Sequence, residues 1–137
     1  MGPHMRHQNW PLRLNTVLIE FQNKSFAWGE HDCCLFAANV VRELTGVDHA
    51  VDLRGAYTTA QEAAEVLKKH GGVRKIASDA LGNEIPALTA QRGDVVLIDG
   101  PHGDTLAICI GDKCVAPGVD CLQPISLASA ISAWRVN

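Results

Sequence analysis

Cys33 is the residue of this sequence best placed for covalent chemistry. It follows Asp32 and precedes a helical pattern of apolar residues, so it falls in the first turn of a predicted helix. The free N–H groups and partial positive charge of a helix N-terminus favour the thiolate, which is the nucleophilic form of cysteine. The competing interpretation is a buried, inert thiol, since free cysteine is among the most buried residue types. Cys34 is either a core residue or a second thiol able to pair oxidatively.

A cysteine nucleophile works with a base, and two histidines are candidates for that role. His102 lies in a turn rich in glycine and proline, from which it could fold back toward Cys33. Asp104 or Asp99 would then orient its imidazole. The alternative is a solvent-exposed loop histidine. His31, two residues before Cys33, is another possible base or a supporting group of its loop.

The cysteines and histidines lack the spacing of a metal site. There are five cysteines and six histidines, and no Cys-x2-Cys or His-x3-His pair occurs among them. An odd cysteine count without a signal peptide argues against a disulfide framework, and Cys109 lies in an apolar, strand-like run. We therefore predict mostly reduced thiols, no metal and no cofactor.

The elements that must position these residues are helices first and strands second. Apolar periodicity predicts three helices: from Asn9 to about Phe21 with Asn9 as cap, from Asp32 to Gly46, and from Thr58 or Thr59 to Gly71. Short apolar runs follow at 95–98, 106–110, 114–116 and 133–136, separated by Gly, Pro and Asp. This order predicts an α+β fold whose N-terminal helices pack on a mainly antiparallel sheet.

The overall composition fits one globular domain, which we place over residues 6–137. The chain has 137 residues, of which 47% are hydrophobic and 20% charged. Residues 1–5, Met-Gly-Pro-His-Met, are typical of an expression-tag remnant. The net charge of -3 offers no basic footprint for nucleic acid or an anionic membrane. We also expect no signal peptide and no membrane span, because no apolar run is long enough.

Three segments in order resemble NlpC/P60 cysteine peptidases. Residues 26–38, Phe-Ala-Trp-Gly-Glu-His-Asp-Cys-Cys-Leu-Phe-Ala-Ala, are similar to that family's nucleophile segment. Residues 92–98 resemble its Gly-Asp-Leu-Val strand, and residues 106–112 resemble the strand that follows. The resemblance covers about residues 26 to 117 and implies a papain-like fold.

A narrower resemblance is to short NlpC/P60-like proteins of phage and prophage tails. These often carry an Arg-Gly-x-Tyr segment, which Arg54-Gly55-Ala56-Tyr57 matches here. The resemblance implies a tail-tip or tail-assembly component whose partners are other tail proteins. It would be found in the virion tail, or in the host cytoplasm during assembly. Active relatives cleave peptidoglycan stem peptides with a Cys-His pair, so a peptidoglycan peptide is an implied ligand.

Five residues around Cys33 are predicted to contact such a ligand: Trp28, His31, Asp32, Arg54 and Tyr57. A tryptophan in the loop beside Cys33 would suit the wall of a peptide or glycan groove, although burial is its commoner state. Arg54 either binds a carboxylate or pairs with Asp48 or Asp52.

The sequence departs from the active pattern at the histidine. The family's histidine aligns with Thr105, or with Asp104 if the alignment slips, and its third polar group aligns with Val115 or Ala116. A thiol without a base is only a few per cent thiolate at neutral pH. Two functions are therefore predicted. The first is a tail component with degenerate or absent peptidase activity. The second is an active cysteine hydrolase, a stem-peptide endopeptidase using Cys33 with His102.

Overall fold

Four helices precede a five-stranded sheet in the computed structural model, which describes residues 5–137. The helices are α1 (Trp10–Phe21), α2 (Cys33–Thr45), α3 (Ala60–Lys69) and α4 (Val73–Leu81). The strands are β1 (Val95–Gly100), β2 (Gly103–Cys109), β3 (Lys113–Pro117), β4 (Leu122–Ser126) and β5 (Ser132–Trp134). Residues 1–4 of the predicted tag remnant lie outside the described residues, and its last residue, Met5, is exposed.

The strands lie in the order β4-β3-β2-β1-β5, and every neighbouring pair is antiparallel. A tight turn of Pro101 and His102 joins β1 to β2, because Gly100 is paired with Gly103. The predicted α+β class with an antiparallel sheet is confirmed. None of the four helices in this part of the chain is long and apolar enough to cross a membrane.

Helix α2 is the centre of the helical layer. Its N-cap is Asp32, whose Oδ1 accepts a hydrogen bond from the Leu35 backbone N–H at 3.0 Å. Its C-cap is Gly46, at a left-handed φ of 83°. Both ends agree with the prediction, since side-chain caps and αL glycines are local signals. The apolar side chains between them are completely buried against α1 and the sheet.

Two local predictions about the other helices were wrong. Asn9 occupies the predicted N-cap position of α1, but its side chain does not cap the helix; its Oδ1 instead accepts a hydrogen bond from Arg13 Nε at 2.8 Å. The sequence does not predict helix α4, because Gly71-Gly72 indicates the end of a helical region. Both glycines adopt positive φ, of 90° and 97°, and reverse the chain so that α4 starts directly at Val73.

The two faces of the sheet have separate apolar clusters. The helices cover the face that carries Val95, Leu97, Leu106 and Ile108. The alternate side chains of the same strands form a second cluster, which the short turns Ala87–Thr89 and Leu127–Ser129 cover in part. Helix α2 carries Cys33 and Cys34 on the first side of the sheet, and the period-two alternation of β2 and β3 places Cys109 and Cys114 on the opposite side.

Candidate active site

An open cleft of about 930 Å³ includes Cys33 in its lining. One wall is the loop of residues 26–33, and the opposite wall is α3 with the glycine turn that follows it. The β1–β2 and β3–β4 turns complete the rim. Most lining side chains are apolar, and the charged or titratable ones other than Cys33 are Lys68, His102 and Asp104. The size and lining are those of a ligand site rather than a packing defect.

Cys33 is a partly exposed residue at the first position of α2, where a helix stabilises negative charge. The pKa of Cys33 is lowered, chiefly by a hydrogen bond with the Cys34 side chain. The backbone N–H groups of Leu106 and Cys34 add to this effect, while burial and the charge of Asp32 oppose it. The same contact, with deep burial, raises the pKa of Cys34, which therefore keeps its proton. Cys33 is thus the nucleophilic member of the pair.

Leu106 reaches the thiol because of the sheet register. Strand β3 pairs with β2 from Cys109 back to Ile108 and then diverges from it. The Leu106 amide lies two residues before Ile108 on β2, outside the part of β2 that pairs with β3, and helix α2 packs against β2. A backbone donor carries no side-chain signature, so the sequence alone could not identify it.

Asp32 and Tyr57 lie beneath the cleft and support its loop. The Asp32 carboxylate accepts hydrogen bonds from the Gly29 backbone N–H at 3.0 Å, besides the Leu35 cap. The Tyr57 hydroxyl donates to the same carboxylate at 2.7 Å. Burial, followed by the charge of Asp32, raises the pKa of Tyr57. Both side chains are buried, and neither is part of the cleft lining.

The Arg-Gly-x-Tyr segment packs directly on the loop that carries Trp28. The Gly55 backbone N–H donates to the Gly29 carbonyl at 2.9 Å. Arg54 forms a bidentate ion pair with Asp48, with N–O distances of 3.0 and 3.1 Å. Asp48 and Asp52 were the predicted ion-pair partners of Arg54, and the structure shows the pair with Asp48. The Arg-Gly-x-Tyr segment therefore supports the Trp28 loop, which forms one wall of the cleft.

The structure brings four sequence-predicted residues to the same cleft: Cys33, His102, Asp104 and Trp28. His102 is exposed on the β1–β2 turn, and its imidazole meets the Trp28 indole edge to face, with ring centroids 5.2 Å apart. Within residues 5–137 its imidazole makes no hydrogen bond to the Cys33 thiol. Thr105 also lines the cleft.

The α3 wall was not identified from the sequence. Ala60, Ala63, Ala64 and Leu67 form an apolar face toward the cleft, and Lys68 adds a positive charge. The signal was present as alanine at helical spacing. Alanine at helical spacing equally indicates helix packing, so it does not by itself identify a binding surface.

A family model described as a domain of unknown function (DUF6950) matches residues 5–136. The chain belongs to the DUF6950 family. The match spans all four helices, the five strands and every residue lining the cleft, so the site is part of the DUF6950 domain itself. No curated protein sequence matches the chain significantly. Among the described residues of this DUF6950 domain, no group of three or more His, Cys, Asp or Glu could hold a metal ion.

His31 is buried in the DUF6950 domain and does not line the cleft. Its ring packs between Phe21 and Phe36, at centroid distances of 5.3 and 5.9 Å. Neither ring nitrogen has a hydrogen-bond partner among residues 5–137. Burial, followed by the charge of Lys24, lowers the pKa of His31, while Asp32 and Glu30 act in the opposite direction. The ring is therefore held in its neutral form.

We expect His31 to make the domain sensitive to mild acid. Because the folded pKa is depressed, the unfolded chain takes up a proton more readily as the pH falls from about 6.5. The contribution of neutral His31 to the free energy of unfolding is therefore fully present above that pH. This contribution is lost as the pH falls toward and through the folded pKa of His31. His31→Phe should flatten the dependence of the urea midpoint on pH between neutral and mildly acidic conditions.

The matched control is His70→Phe, because His70 is exposed at the end of α3. That variant should keep the pH dependence of the unaltered protein. Equal slopes for the unaltered protein and the His31→Phe variant would show that protonation of His31 does not limit stability.

Proposed function

We propose that this domain is an NlpC/P60-like, papain-like component of a phage or prophage tail. In this proposal it binds a peptide-like ligand in the Cys33 cleft, with degenerate or no peptidase activity. One observation supports the statement about peptidase activity. The Cys33 thiolate is stabilised by Cys34 and by the Leu106 amide, and the cleft includes Thr105, which the sequence resemblance aligns with the histidine of NlpC/P60 peptidases. The tail setting is supported by the sequence resemblance of the three segments and of Arg-Gly-x-Tyr.

Turnover would be weak because the groups that stabilise the Cys33 thiolate do not supply a proton for the leaving amine. Backbone amides and a buried thiol can hold a negative charge on Cys33, so the nucleophile is preserved. Amide hydrolysis also requires a proton for the leaving amine, and a positioned acid typically contributes about a hundred-fold or more to the rate. The buried Cys34 keeps its proton because its pKa is raised. An arrangement of this kind favours binding or slow thiol chemistry over efficient cleavage.

A second candidate function is an active cysteine hydrolase, because His102 and Cys33 share one cleft. The imidazole would leave the Trp28 ring and take the thiol proton. The thiolate would then attack the amide carbonyl, and the imidazolium would protonate the leaving amine to give a thioester. Water would hydrolyse that thioester and regenerate the thiol. Asp104 on the same rim could orient His102 during these steps.

One experiment separates the two candidates: the alkylation rate of Cys33 measured against pH. Cys33 and Cys34 share the tryptic peptide 25–42, so fragment ions are needed to assign the label. We expect a Cys33 pKa below its ordinary value of about 8.5 in the unaltered protein and in His102→Ala. Cys34→Ala should raise that pKa, and Cys34→Ser should largely keep it, since a hydroxyl can still donate.

The same proteins are then incubated with purified peptidoglycan and with stem peptides. The tail-component proposal predicts peptide binding without turnover. Cleavage that Cys33→Ala and His102→Ala both abolish would establish the hydrolase instead. A pKa shift that His102→Ala removes would point the same way. Mass spectrometry of phage particles from the source strain should detect the chain, and particles without it would contradict a place in the virion.

A further inference from the structure

Cys109 and Cys114 face each other across the antiparallel strands β2 and β3. Both side chains are completely buried in the apolar cluster on the sheet face away from the helices. Each thiol lies near a backbone carbonyl, Cys109 at 3.3 Å from Gly111 O and Cys114 at 3.6 Å from Ile125 O. Both are free thiols in this structure. They belong to neither the cleft nor the Cys33–Cys34 pair.

The register places the two cysteines where a disulfide can form. The Ile110 backbone N–H donates to the Lys113 carbonyl at 2.8 Å, which makes the Cys109–Cys114 pair one of the non-hydrogen-bonded pairs of the ladder. In such pairs the Cα atoms are about 4.5 Å apart and the side chains approach most closely. Disulfides span Cα separations of roughly 4.4 to 6.8 Å, so the bond needs little backbone movement.

We propose that Cys109 and Cys114 are a disulfide-forming site, oxidised by a low-molecular-weight disulfide such as oxidised glutathione. One thiolate attacks the glutathione disulfide, forms a mixed disulfide and releases one molecule of reduced glutathione. The other thiolate attacks the protein-side sulfur of that mixed disulfide, forms the Cys109–Cys114 bond and releases the second. The two protein thiol protons end on the two released glutathione molecules. The pair is oxidised and glutathione is reduced.

Burial decides when this reaction can occur. It raises the pKa of Cys109, and it raises the pKa of Cys114 to about 11, so the native thiols are almost fully protonated. Oxidation of the folded protein is therefore slow. During folding the thiols are accessible, and the short turn of residues 110–113 brings them together early because few residues separate them. The oxidised form is expected where folding occurs in an oxidising medium, and the reduced form in a reducing cytoplasm.

The test is refolding from urea in a mixture of oxidised and reduced glutathione. Cys121→Ser is used as the background, because Cys121 is an exposed thiol on the same tryptic peptide as Cys114. Trypsin cuts after Lys113, between the two cysteines, so the disulfide joins peptides 93–113 and 114–135. We expect most chains to yield this linked pair and dithiothreitol to separate it. Adding Cys109→Ala should eliminate the link.

Separate, alkylated peptides after refolding would overturn the proposal. Glutathionylation of Cys121 in the unaltered protein, treated in parallel, shows that the mixture was oxidising enough. Linkage of either peptide to residues 25–42 would also overturn it, because Cys33 and Cys34 would then be the partners. If Cys121→Ser fails to refold, the unaltered protein is used and fragment ions distinguish Cys114 from Cys121. The result is independent of whether Cys33 has any activity, since the two sites are on opposite sheet faces.

Discussion

Asp94→Asn is expected to lower the free energy of unfolding by about 3 kcal/mol, although the two side chains have the same shape. The Asp94 carboxylate is completely buried. One oxygen accepts from the Arg6 guanidinium at 2.9 Å and the Val136 backbone N–H at 3.0 Å. The other accepts from the Gln91 backbone N–H at 2.9 Å and lies 3.5 Å from Arg135. Donors therefore surround both oxygens.

Asparagine cannot satisfy this arrangement in either orientation. Its amide nitrogen carries two N–H donors, so it would face other donors on one side of the group. Arg6 would also lose its counter-charge while its remaining contacts, to the Val136 and Arg92 carbonyls, hold it in place. The substitution would thus weaken the connection between the N-terminal segment, β1 and the C-terminal end of the chain. Urea unfolding followed by circular dichroism measures the effect.

Asp48→Asn is the matched control, because Asp48 also forms an ion pair with an arginine. Its side chain is 19% exposed and Arg54 is 29% exposed, so water can replace part of the interaction. We expect a loss of about 1 kcal/mol or less. Similar losses for the two variants would indicate that burial of Asp94 contributes little and would contradict the argument.

The sequence was most informative where local interactions decide the structure. Asp32 and Gly46 define the ends of α2 through contacts within one turn, and both were predicted. Four of the five strands were also predicted, because buried strands need continuous apolar residues. Strand β4 (Leu122–Ser126) was not predicted, because it is mostly exposed and has no continuous apolar run. Asn9 was predicted to cap α1, but its side chain binds Arg13 instead. That choice depends on a competing side chain one turn away, which residue preferences do not capture.

The candidate site could be predicted only in part, because most of it depends on long-range contacts. Cys33 was identified from its position at a helix start, and His102 from its residue type. The amide of Leu106 and the α3 wall reach the cleft through packing of distant segments. Arg-Gly-x-Tyr could be noticed as a motif, yet its physical reason is visible only when it packs on Gly29.

Gly29→Ala is expected to destabilise the domain by about 4 kcal/mol, and it tests that packing directly. Gly29 has a φ of 78°, which is strained for any residue with a side chain. A Cβ atom there would also overlap the backbone carbonyl oxygen of Tyr57. The loop could not retain its hydrogen bonds to Asp32 and Gly55 without moving, because backbone rather than a flexible side chain blocks the new atom.

Gly55→Ala separates the two causes of this loss. Gly55 has a similar φ of 70°, but a Cβ atom there would meet nothing within 4 Å. It should therefore show the conformational cost alone, about 1 kcal/mol. Urea midpoints of the two variants measure the difference. Equal losses of stability in Gly29→Ala and Gly55→Ala would mean that the Tyr57 carbonyl moves away from the new Cβ atom at little energetic cost. We expect a larger loss for Gly29→Ala, together with a rise of the Cys33 pKa to its ordinary value. That result would show that contact between the Gly29 loop and the Arg-Gly-x-Tyr segment holds Cys33 in place.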